Sequence, residues 1–211
     1  MRLHLLIAGI LSLTLGACNG PPLYQSRATE FLRGHGIEED LIQRLVNRRD
    51  ISSDEADRLA TFSNIPVLHF VAANPSTSKA LLYRLAKHSS FEVHTGLVSN
   101  PSAPLDLVLS FRTPGKYTTV NDAMARNPNL PSNLIREMYV QGEIGRVSPA
   151  LNPNCPPEIM WRIYNEGSSV DRAWLATNPN LPAALMARLE TSSDKVVKDY
   201  LRTNPIYKKQ H

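Results

Sequence analysis

The sequence predicts an all-α protein, a solenoid of stacked short helices, and three observations predict it. Asn-Pro pairs begin at Asn74, Asn100, Asn127, Asn152, Asn178 and Asn204, at spacings of 26, 27, 25, 26 and 26 residues. A fixed period of this size marks an array whose units cannot bury their apolar faces alone and lean on their neighbours. Between the pairs, apolar residues recur at constant offsets. Seven beyond each Asn stand Leu81, Leu107, Leu134, Ile159 and Leu185; eight beyond, Leu82, Val108, Ile135, Met160 and Met186; eleven beyond, Leu85, Phe111, Met138, Ile163 and Leu189. Those offsets lie on one face of a helix. The third observation is proline: 16 copies in 211 residues, most at repeated positions, which punctuate short elements and do not make a Pro-rich linker.

Each element of the repeat has a local reason. Four residues beyond the Asn stand Pro104, Pro131, Pro156 and Pro182, with Ser78 in the first unit. Proline suits a first helical position, where its missing N–H has no partner to lose, so a helix is expected from Pro182 to Glu190, with Pro104 to Arg112 and Pro156 to Tyr164 matching it. Turn residues follow, as at Thr113-Pro114-Gly115, Gly142-Glu143, Gly167-Ser168 and Ser192-Ser193. A shorter second piece comes next: Val93 to Val98, Val120 to Ala125, Val170 to Ala176 and Val196 to Leu201. It stops at the Asn, because the Pro after that residue disfavours helix there. Asn tolerates left-handed geometry and bonds its own backbone, so its recurrence reads as a structural joint and not a site. The unit around Ser148-Pro149, with its 25-residue step, is expected to be irregular.

The repeats are expected over residues 47–205 as about six units, the first degenerate: Asn47 lies 27 residues before Asn74, and Ala56, Leu59, Val67, Leu68 and Phe70 echo the columns. Residues 29–46 read as an N-terminal cap, with an amphipathic helix through Leu41, Ile42, Leu45 and Val46. Residues 206–211 are expected to fray.

Residues 1–17 read as an export signal: a basic start at Arg2, an apolar run from Leu5 to Leu15, and the small pair Gly16-Ala17. The run is too short to span a bilayer. Leu15-Gly16-Ala17-Cys18 resembles the lipobox of bacterial lipoproteins. That resemblance implies that Cys18 is acylated and becomes the mature N-terminus, that residues 18–28 are a tether, and that one partner is the lipid bilayer. Several acyl chains on one Cys give stable attachment where one alone is marginal. Asn19 leaves out the Asp that resembles an inner-membrane retention signal, so the expectation leans to the outer membrane with the chain facing the periplasm. With Cys18 acylated, Cys155 is the remaining thiol, and no internal disulfide is expected.

The repeat columns resemble the leucine-rich repeat variant family. The nearest copy is Val170 to Leu189, with Ala176, Asn178-Pro179-Asn180-Leu181-Pro182, Leu185 and Leu189. The resemblance implies a right-handed superhelix in which an α-helix alternates with a 3₁₀ or other short helix. The iron–sulfur module of one member needs a cysteine cluster that is missing here, so no cofactor is carried over.

No catalytic constellation stands out. The histidines His35, His69, His88 and His94 form no His-Glu-x-x-His, there is no cysteine cluster, and no Gly-x-Ser-x-Gly elbow occurs. Glu38-Glu39-Asp40 reads as charge favouring a helix start. The chain is therefore expected not to be an enzyme and to hold no metal or cofactor. Charge adds little. Residues 18–60 carry a net −2 and residues 61–211 a net +5, scattered and without the dense basic stripe of a nucleic-acid surface. Trp161, Trp174, Tyr139, Tyr164 and Tyr200 either fill the core or line a binding face. Tyr139 and Tyr164 both lie twelve residues past their Asn, and Arg112 and Glu190 hold that column elsewhere, so Arg112, Tyr139, Tyr164 and Glu190 are the candidate binding face. The expected role is a membrane-anchored repeat lipoprotein that binds or scaffolds an envelope protein. An accessory module of an envelope hydrolase and a purely structural spacer are the alternatives; oligomeric state is open.

Overall fold

The computed structural model describes residues 22–210. Among them the fold is all-helical, with fifteen helices and no strand. Cα packing divides the chain into two compact units, one ending at Arg112 and the other beginning at Thr113. The leader 1–17 and Cys18 lie outside the described residues.

The first unit holds α1 (Pro22–Gly34), α2 (Glu39–Val46), α3 (Ser53–Ala60), α4 (Ile65–Ala73), α5 (Lys79–Leu85), α6 (Phe91–Ser99) and α7 (Leu105–Leu109). Residues 22–28, expected as tether, are instead the first half of α1. Its Ala28 and Leu32 are fully buried, and it packs on α2 and α4. An apolar spacing of four residues gave this stretch an inward face that its polar composition hid. Helix α4 is apolar along its length, and every residue from Val67 to Ala73 is buried. Its neighbour α6 comes close because Gly96 has no side chain: a Cβ there would stand 2.4 Å from the His69 carbonyl oxygen. Each Val or Leu sequestered this way contributes about 1.5–3 kcal/mol of transfer free energy.

The second unit holds α8 (Thr119–Met124), α9 (Ser132–Val140), α10 (Val147–Leu151), α11 (Pro157–Glu166), α12 (Ser169–Ala176), α13 (Ala183–Glu190), α14 (Lys195–Leu201) and α15 (Tyr207–Gln210). Helices α12 and α14 pack together most extensively here, as α4 and α6 do in the first unit. The expected frayed end is largely helical: α15 continues the chain, and the Lys208 N–H donates to the Asn204 carbonyl at 3.0 Å.

Two details depart from expectation and one narrows it. Pro104, Pro131, Pro156 and Pro182 are N-caps and not first helical residues, with φ near −60° but extended ψ. Each lends its carbonyl to the first intrahelical bond, as Pro182 does to Met186 at 2.9 Å. The second pieces are α-helical, and no 3₁₀ segment occurs among the described residues. Four of them start on side-chain caps: Asn64, Thr118, Ser168 and Asp194 accept backbone N–H groups of the first turn. Helix α7 stops at Leu109, short of the expected Arg112. Pro114 forbids continuation just beyond, and the Ser110 hydroxyl donates to the Leu107 carbonyl at 2.7 Å. The irregularity around Ser148 is present: α10 has five residues and no side-chain cap. No helix among the described residues is long and apolar enough to cross a membrane.

Candidate functional site

The Asn-Pro joints are the most regular polar feature. All six Asn side chains, Asn74 to Asn204, are buried to 0–1% exposure. Asn74, Asn100 and Asn152 have extended backbones, φ −76°, −72° and −81°, so left-handed geometry is not what the residue supplies. The expected bond to the local backbone is there: each Oδ1 accepts the N–H two residues on, at 2.7–2.9 Å. The amide N–H groups do something the sequence did not reveal. Asn100 Nδ2 donates to the carbonyls of Ala72 and Asn74, at 2.8 and 2.7 Å. In the second unit Asn152 does the same to Ala125 and Asn127, Asn178 to Ala150 and Asn152, and Asn204 to Ala176 and Asn178, all at 2.7–2.9 Å. Asn74 reaches the Arg49 carbonyl at 2.9 Å. Each link therefore spans one repeat. A second series lies two residues on: Asn154 donates to the Pro128 carbonyl at 2.6 Å and Asn180 to that of Pro153 at 2.9 Å. Its signal, Asn-Pro-Asn, was visible in three repeats.

The candidate face is split. Arg112 belongs to the first unit, and Tyr139, Tyr164 and Glu190 to the second. In the second unit these residues join neighbouring elements. The Arg162 guanidinium lies 5.6 Å from the Tyr139 ring centroid and the Arg172 guanidinium 5.8 Å from that of Tyr164. Arg172 Nε also donates to the Tyr164 carbonyl at 2.8 Å, and Trp161 meets the Tyr164 ring edge-on at 5.9 Å. Glu190 accepts the Tyr207 hydroxyl at 3.0 Å, which raises the phenol above its ordinary range. Half-buried tyrosines under the exposed Arg162 and the half-buried Arg172 make a stacked column with a polar outer edge. Of the other aromatics, Tyr200 is a core residue at 6% exposure and packs edge-on to Trp174.

A polar cluster lies where α1 meets α4 and α6. His69 of α4 is 6% exposed. Its Nδ1 lies 2.8 Å from the Glu92 carbonyl oxygen. That oxygen only accepts, so Nδ1 carries the proton and Nε2 bears a lone pair. Nε2 is buried with no hydrogen-bond partner among the described residues. Burial, with Arg48 adding to it, pushes the imidazole from 6.5 down to about 4. Tyr24 of α1 tilts against the ring, centroids 5.8 Å apart, and its hydroxyl donates to Glu92 Oε1 at 3.0 Å. Ser90 donates to the other carboxylate oxygen, and that bond is the main reason the Glu92 carboxyl lies below its usual range. Serine, histidine and glutamate are close, yet they form no relay: the serine serves the carboxylate, and the imidazole serves a backbone carbonyl.

The remaining candidates have structural partners. His35 stacks on Phe31 at 4.1 Å and meets Phe62 edge-on. His88 Nδ1 accepts the Ser90 N–H at 3.0 Å, and His94 leans on Phe111. Glu39 binds Arg33 at 2.6 Å, and Arg33 and Gln43 hold its carboxyl at about 2. Cys155 is buried, and desolvation pushes its thiol up to about 12. Among the described residues no group of three or more His, Cys, Asp or Glu is placed to hold a metal ion. No protein-family model, curated protein or solved structure matches the chain.

Proposed function

We propose that this chain is a membrane-anchored repeat lipoprotein, acylated at Cys18, whose stacked units form a right-handed superhelical solenoid that binds or scaffolds a protein of the bacterial envelope. The observation that supports it is the separation of duties within each repeat. The Asn joints and the apolar columns face inward and join one repeat to the next. The outward positions of α9, α11 and α13 carry the exposed charges Arg136, Glu158, Arg162, Glu166 and Arg188, whose contacts are surface ion pairs such as Arg136–Glu158 and not core packing. A repeat surface of this kind recognises a partner through its variable positions.

The test has two arms. Cys18→Ser should move the protein from the membrane fraction to the soluble fraction of intact cells; unchanged fractionation would sink the anchor. A photo-crosslinking residue at Tyr139 or Tyr164 should capture a discrete partner that the same residue at Lys195, exposed at the start of α14 and outside that column, does not. Capture from neither position would leave the spacer reading in its place.

A further inference from the structure

Helix α1 is tied to the repeats through one polar cluster. Tyr24 lays its ring on His69 of α4 and sends its hydroxyl to Glu92 of α6. The groups that face the imidazole are Tyr24 from α1, Arg48 from the turn after α2, and Glu92 from α6; α4 has no second titratable side chain. The Nδ1 proton is already held by the Glu92 carbonyl. A proton on Nε2 would make that atom a donor with no acceptor beside it, in a place water does not reach. Arg48 opposes the added charge and Glu92 favours it, and desolvation outweighs both.

We propose that His69 is an acid-sensitive latch for helix α1: neutral, it holds α1 down on α4 and α6, and on taking up a proton it releases α1. Lifting α1 takes Tyr24 off the ring and opens Nε2 to water, so the imidazolium is solvated in the released form and starved in the docked form. The released form therefore binds the proton more tightly. As pH falls from the ordinary histidine value of 6.5 toward about 4, the balance moves to the released form. The shift is tenfold per unit of pKa difference, so up to about three-hundredfold in all. One consequence rests on the lipoprotein reading. Helix α1 begins four residues after Cys18. Its 13 residues span about 20 Å as a helix and about 45 Å extended, so release lengthens the reach from the bilayer.

The experiment uses the full Cys18→Ser chain in solution, where a failed anchor cannot mask the latch and a failed latch says nothing of the anchor. Hydrogen exchange of the α1 amides, corrected for intrinsic rates, is followed from about pH 7 to about pH 4. The His69 ring shift is read on the same samples. Protection of α1 should fall at least tenfold across the range while α4 and α6 keep theirs. In His69→Asn, which retains a donor for the Glu92 carbonyl and does not titrate, α1 protection should not follow pH. In Glu92→Gln the fall should persist. Flat α1 protection in the parent, the same fall in His69→Asn, its loss in Glu92→Gln, or simultaneous loss of protection in α4 and α6 would each overturn the latch. So would a ring shift titrating near 6.5 with α1 still protected, which is read in the Cys18→Ser parent alone.

Discussion

A primary amide carries two N–H donors and one carbonyl acceptor, and Asn100, Asn152, Asn178 and Asn204 use all of them. In Asn178 the donors serve the Ala150 and Asn152 carbonyls, and Oδ1 takes the Asn180 N–H. Aspartate has the acceptor and no donor, and alanine has neither. Asn178→Ala is therefore expected to lower stability by about 2–4 kcal/mol, because the Ala150 carbonyl and the Asn180 N–H lose their partner and the Asn152 carbonyl keeps only the Cys155 N–H. Asn178→Asp should cost at least as much, since it adds a buried charge. Urea unfolding measures both, and a loss below about 0.5 kcal/mol for either would mean that the link is incidental. Cys155 offers a second residue-scale test. Burial holds its thiol near 12, so in the Cys18→Ser background a thiol reagent should label it only as fast as the fold opens, and denaturant should abolish the protection. Rapid native labelling would contradict its place in the core. The recurrence of Asn was legible in the sequence. Its partners were not, because they are backbone carbonyls one repeat away, and a carbonyl leaves no trace in residue identity.

At the scale of elements, close approach decides how the second pieces pack. Helix α6 sits against α4 only because Gly96 leaves room for the His69 carbonyl. Gly96→Ala improves helix propensity by about 1 kcal/mol, yet its Cβ would fall 2.4 Å from backbone that cannot swing aside. Overpacking should win, giving a net loss of about 1–3 kcal/mol and a lower Tm. A gain in Tm would show that α4 and α6 can separate without cost. The first helices were readable from three apolar columns, since spacing of three, four and seven is a property of the chain itself. The second pieces were readable as helical segments but not as α rather than 3₁₀. Caps such as Ser168, whose hydroxyl takes the Asp171 N–H while the Asp171 carboxylate takes the Ser168 N–H, do not decide it, since α6 is α-helical without a side-chain cap. Helix α1 escaped the sequence reading for a different reason. Its inward face is only Ala28 and Leu32, and its tie to the fold is Tyr24 reaching a residue 68 positions away.

For the whole molecule, acid is the condition that separates the kinds of contact holding it together. His69 is favoured neutral, with its ordinary value of 6.5 lowered to about 4 in the fold. Between those values the unfolded chain binds more protons, so stability falls as pH drops through that window, and the loss is complete below about 4. Glu39 and Glu55 add a second loss of the same sign at lower pH. Arg33 holds the first and Arg44 the second at about 2, against 4.5 unperturbed. Their contribution is present above 4.5 and is lost as pH falls from there toward 2. The two stages also differ in their response to salt. The carboxylates lie at the surface, where ions screen them, and the imidazole is buried. Melting temperature should therefore decline in two steps on acidification. Salt at about 0.5 M should flatten the lower step and leave the upper one. His69→Asn should remove the upper step alone. An acid profile that stays level down to about pH 4.5, or an upper step that salt abolishes, would take the buried histidine out of the account and leave the surface ion pairs as the sole source of acid sensitivity.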